Sequence, residues 1–144
     1  MTRPTPARMR TPDWPERLAD ILEARLEQPF YYGAQDCGMF ASDVALALTG
    51  ADPAAWLRGA YDTADQLDVL LAEAGGFEAA VERTMAEFGA PECPPAFAAR
   101  GDWALVEVGN HQMVGVVVGD RIAVTGLDGL QYVPLRLAAR TWAI

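Results

Sequence analysis

Apolar positions repeat at helical spacing through the first two thirds of the chain and at strand spacing after it. Trp14, Leu18, Ile21, Leu22 and Leu26 form one stripe, predicting a helix over residues 14 to 27 that Asp13 and Glu16 open as a capping box and Pro29 ends. A second stripe, Phe40, Ala41, Val44 and Leu48, starts at Cys37 and runs to a stop at Thr49-Gly50. Asp52-Pro53 starts one short turn through Trp56-Leu57, closed by Arg58-Gly59. Thr63 and Gln66 then open a helix carrying Leu67, Leu70, Leu71 and Ala74, which Gly75-Gly76 stops. Phe77, Val81, Met85 and Phe88 mark a fourth helix.

From Pro91 to Pro95 the prolines predict an irregular connector around Cys93. Beyond it, strands are expected at Trp103–Val108, Met113–Val118 and Arg121–Thr125, with Gly119-Asp120 as a tight turn. Asp128-Gly129 leads to a further strand at Leu130–Val133, and Leu135 to Arg140 reads as one helical turn. Helices followed by strands predict a single α+β domain over residues 13–144, preceded by a mobile tail at residues 1–12.

Composition narrows the chemistry. The chain has 144 residues, 51% of them apolar, enough for one core of its own. A formal charge of −9 argues against nucleic acid and anionic membrane surfaces as partners. All 11 basic residues are arginines, so a Ser-Lys dyad, a Schiff-base lysine and a P-loop lysine are ruled out. With one histidine and two separated cysteines, no zinc-ligand spacing occurs and no metal or other cofactor is expected. Two free thiols are the simplest reading of the cysteines. Neither a signal-peptide core nor an apolar run long enough to cross a membrane is present, predicting synthesis in the cytoplasm without membrane insertion.

The chemically pointed residue is Cys37. It follows Asp36 after the turn-prone stretch Pro29-Phe30-Tyr31-Tyr32-Gly33-Ala34-Gln35, at the first turn of an apolar helix. A helix N-terminus favours thiolate over thiol, so the position suits a nucleophile. Asp36 reads as a helix cap or, alternatively, a substrate contact.

This loop-Asp-Cys-helix arrangement resembles that of the NlpC-like cell-wall cysteine endopeptidases, a papain-like family. Gly101-Asp102 before Trp103-Ala104-Leu105-Val106, and the run Val114-Gly115-Val116-Val117-Val118-Gly119, extend the likeness across residues 14 to 125. The chain is still more similar to a phage- and bacteria-associated relative of unknown function, sharing Pro-Phe, Asp-Cys, Thr-Gly-x-Asp-Pro, Arg-Gly-Asp and a terminal Asp-Gly-Leu…Val-Pro-Leu…Trp. The resemblance implies a papain-like fold with the nucleophile helix packed on a C-terminal antiparallel sheet. It implies Cys37 as nucleophile, His111 as base, Thr125 near the orienting third position, and Tyr31, Tyr32 and Asp36 as substrate contacts. The implied substrate is an amide in a peptidoglycan stem peptide, and the implied setting is a phage tail or lysis system, with tail proteins as partners and delivery to the wall or the virion.

Departures from the family pattern leave alternatives open. Met113 stands where the family has its histidine, and His111 lies two residues earlier, on the same strand face if the strand extends that far. Phe30 replaces the tyrosine that often follows the early proline. Cys37 is therefore either an active nucleophile or an inherited one, and His111 a base or a solvated loop residue. The rival readings are an inactive tail or wall-binding module and a thiol acyltransferase or amidase acting on another substrate.

Overall fold

The structure, a computed structural model, describes residues 2–144. Four helices come first: α1 (Trp14–Arg25), α2 (Cys37–Thr49), α3 (Ala64–Glu73) and α4 (Phe77–Phe88). Six strands follow: β1 (Glu92–Cys93), β2 (Trp103–Val108), β3 (His111–Val118), β4 (Arg121–Gly126), β5 (Gly129–Pro134) and β6 (Ala138–Trp142). They form one antiparallel sheet in the order β1-β6-β2-β3-β4-β5, so β2 to β5 is a meander and β6 returns to the free side of β2. The fold is α+β, with the helices on one face of an open sheet.

Local chemistry explains most boundaries. Asp36 caps α2 by accepting from the Met39 N–H, and Gly50 closes it in the left-handed region. Thr63 caps α3 by accepting from Gln66 N, while the Gln66 side chain accepts from Asp62 N. Asp13 does not cap α1 as expected; its carboxylate instead pairs with Arg17 one turn on. The helix also ends at Arg25, two residues before the predicted stop.

α2 is buried almost all round. Phe40, Ala41, Val44 and Leu48 join the main core with Leu18, Met85, Phe88, Trp103, Leu105, Val114 and Val116. Met39, on another side of the helix, packs with Ala54 and Tyr61. An apolar helix with more than one buried face belongs inside the molecule. α3 is the opposite case, with no fully buried residue along its length.

Three expectations are corrected by long-range pairing. The Pro91–Pro95 connector is not wholly irregular: Glu92 and Cys93 pair with Trp142 and Thr141 of β6. The predicted helical turn at Leu135 to Arg140 is only a 3-10 turn over Leu135–Leu137, after which the chain becomes β6. Within the stretch expected as a tail, residues 3–11 bond to the domain. Arg3 and Arg10 bind the fully buried Asp102, Arg8 donates to the Phe88 carbonyl, and Thr11 N donates to Leu48 O. Burial of Asp102 explains the order, since a buried carboxylate demands partners and these arginines supply them.

Candidate functional site

A cavity of about 250 Å³ opens where the start of α2 meets the sheet, between α3, α4 and the beginning of β3. Phe30, Tyr32, Met39, Leu57, Leu67, Leu71, Phe77 and Trp103 give it mostly apolar walls. Cys37, Asp36, His111 and Thr125 also line it, so with Tyr32 five of the six residues singled out from the sequence converge on one cleft. Tyr31 does not; it is exposed and forms an isolated bridge with Gln35.

The loop before α2 is shaped by Asp36. One carboxylate oxygen accepts from Met39 N at 2.9 Å, the other from Gly33 N at 2.8 Å and from the Tyr61 hydroxyl at 2.5 Å. Those bonds make Asp36 a cap and a loop clasp, with its acceptor sites occupied by the protein rather than offered to a substrate. Gly33 is required here: its φ is +84°, and a Cβ would overlap the Tyr61 carbonyl oxygen. Tyr61 is held well above the usual phenol range by burial and by the Asp36 hydrogen bond, so it remains a donor.

Cys37 sits at the helix start as expected, but its thiol is not activated there. Burial, with a smaller push from the Asp36 charge, raises it from its ordinary 9.0 to about 11. The backbone N–H groups of Val114, Gly38 and Cys37 oppose that rise without overcoming it. Desolvation of the charged form outweighs the helix terminus, because the first turn of α2 lies against β3 rather than facing water.

Strand register decides what faces the thiol. In β3, Val114 and Val116 belong to the helix-side core, while Met113 and Val117 pack with Val106, Ile122 and Val124 on the opposite face. His111 pairs with Val108 and Gln112 with Glu107. Alternation therefore puts His111 with Met113 on the face away from α2, and Gln112 with Val114 on the face toward it. The sequence expectation that His111 and Met113 share a face holds. The helix layer covers the other face, so His111 and Met113 reach the Cys37 cleft only from the open end of β3, while Val114 packs directly under the helix start. His111 is also not a loop residue; it is exposed at the first position of β3.

The polar residue on the helix-side face at this end of β3 is thus Gln112, whose amide donates to Glu107 at 3.0 Å and Glu78 at 3.2 Å. Thr125 pairs with Leu130, a helix-side core residue, so it does face the cleft, from β4. Sequence reasoning missed Tyr61 and Gln112. Tyr61 lies 25 residues from Asp36 with no local pattern to link them. Gln112 becomes visible only once the covered face is known. Among the described residues no group of three His, Cys, Asp or Glu is placed to hold a metal ion, and no helix is long and apolar enough to cross a membrane.

The chain belongs to the DUF6950 family, a domain of unknown function, which it matches over residues 9–144. No curated protein and no solved structure matches it.

Proposed function

We propose that the protein is a non-hydrolytic module of NlpC-like, papain-like descent that binds a peptidoglycan stem peptide in the Cys37 cleft, in the setting of a phage tail or lysis apparatus. The ligand class and setting come from the resemblance carried by Asp36-Cys37, Gly101-Asp102 and the Val114–Gly119 run. The observation that carries the non-hydrolytic part is the opposition of faces: Cys37 lies on the helix side of β3 and His111 on the other. A cysteine hydrolase needs a base within hydrogen-bond reach of its thiol, and a neutral thiol raised to about 11 is a poor nucleophile near neutrality.

Titrating a purified muropeptide into the full chain, with mass detection of the mixture, tests this reading. Saturable binding with the peptide left intact is the expected result. Cleavage that disappears in Cys37→Ala overturns it.

That same outcome would establish the second reading, a Cys-His peptidase or amidase. It is favoured by one specific observation: Cys37 at the start of its helix and His111 both line the same cleft. There Cys37 would attack the amide carbonyl, His111 would take the thiol proton and pass it to the departing amine, and helix-start N–H groups would hold the oxyanion. His111→Ala separates the two, since it leaves binding intact under the first reading and abolishes turnover under the second.

A further inference from the structure

From the walls of the cleft we infer that its inner end, between α3 and α4, is a specificity subsite for one uncharged, apolar side chain of the bound peptide. The inference rests on the peptide-binding reading above and names what the peptide must carry. Leu57, Leu67, Leu71, Phe77 and Val81 make this end of the cavity.

Two of the polar groups near it are already paired. Thr84 Oγ1 donates to Ala80 O at 2.7 Å and accepts from Trp56 Nε1 at 3.2 Å, while the Tyr61 hydroxyl is engaged by Asp36. A charged group entering here would lose its water and meet no opposite charge among these residues. The chain's charge of −9 adds a further bias against anions. The whole cleft is about 250 Å³, just under the usual range for small-molecule ligands, so this end of it has room for no more than one side chain.

Its outer wall is the least buried helix of the fold. Leu67 and Leu71 belong to α3, which has no fully buried residue and is flanked by Gly59 on one side and Gly75-Gly76 on the other, all with positive φ. A leucine or phenylalanine side chain therefore replaces water against two half-buried leucines without disturbing the main core around α2.

The test uses the full chain labelled with nitrogen-15 and three probes: N-acetyl-leucinamide, N-acetyl-phenylalaninamide and N-acetyl-glutamate. The two apolar probes should shift the amides of Leu67, Leu71 and Phe77, and the anionic probe should not. Leu71→Ala should weaken the apolar probes about tenfold, the loss expected for stripping most of a leucine contact. Leu71→Met, which keeps the volume, should retain binding. Equal shifts from the acidic probe, or apolar probes that leave α3 and α4 unmoved, overturn the subsite. A muropeptide titration of the same sample separates the two ideas. Shifts around Cys37 with α3 silent refute the subsite and keep the binding reading. Apolar probes that shift α3 while the muropeptide does nothing support the subsite and refute the wall-peptide ligand.

Discussion

Tyr61 donates its hydroxyl hydrogen to Asp36 at 2.5 Å, tying the loop after the Asp52-Pro53 turn to the loop that launches the Cys37 helix. Both residues are buried. Tyr61→Phe removes one of the three donors around the Asp36 carboxylate and leaves the others, Gly33 N and Met39 N, in place. The expected loss is about 1–3 kcal/mol of stability, read as a lowered urea midpoint. An unchanged midpoint would mean that the pairing does not hold the loop.

The Cys37 thiol, raised to about 11, predicts slow alkylation near neutrality that accelerates steadily into the alkaline range. Cys37 should still label before Cys93, because Cys93 is only 1% exposed while Cys37 borders the cleft. Access, not thiolate content, sets that order. The sign for stability follows from linkage. The folded thiol holds its proton more tightly than the unfolded one, so its contribution is complete below about pH 9 and is lost as pH climbs toward 11. Comparison with Cys37→Ala should show the wild type losing more stability across that window. Parallel curves would deny the burial effect.

If register alone separates Cys37 from a base, moving the imidazole by one position should matter. The double variant His111→Gln with Gln112→His places a histidine on the helix-side face, next to Val114 in the alternation. Its alkylation profile should shift to lower pH than that of the wild type, because a nearby imidazolium favours thiolate. A profile that does not move would show that the residue-112 side chain does not reach the sulfur.

Asp102 is fully buried and receives Arg3, Arg10, Ala99 N and Ile144 N. Asp102→Asn keeps the size but leaves the mostly buried Arg10 guanidinium without its counter-charge, an expected cost of about 3–5 kcal/mol in denaturant titration. Arg3, more exposed, is the control, with Arg3→Ala costing about 1 kcal/mol or less.

Much of the fold is legible in the sequence because its signals are local. Asp36, Gly50, Thr63 and Gly75-Gly76 mark helix ends through backbone hydrogen bonds and left-handed turns a few residues away. Gly119-Asp120 and Asp128-Gly129 similarly fix the hairpins between β3, β4 and β5. What escapes is non-local. Glu92-Cys93 becomes a strand only because Thr141 and Trp142 arrive beside it, and Arg3 is held by a carboxylate 99 residues away and by the Phe97 carbonyl. The site divides along the same line. Period-two alternation correctly groups His111 with Met113, but which face α2 covers depends on tertiary packing. The helix terminus likewise promises a low thiol pKa, whereas the neighbour that buries the thiol belongs to another element.

The Asp102 clamp also sets a timetable for synthesis. Arg3 leaves the ribosome 99 residues before its carboxylate partner, a wait of roughly 5–20 s at ordinary elongation rates. Ile144 N, which completes the set, follows 42 residues after Asp102. During that interval the apolar faces of Phe40, Val44 and Met85 have no sheet to cover them. The nascent helices therefore carry exposed apolar surface until β2 to β6 emerge, so the stretch of synthesis before the sheet is complete is when the chain is most prone to associate with its neighbours.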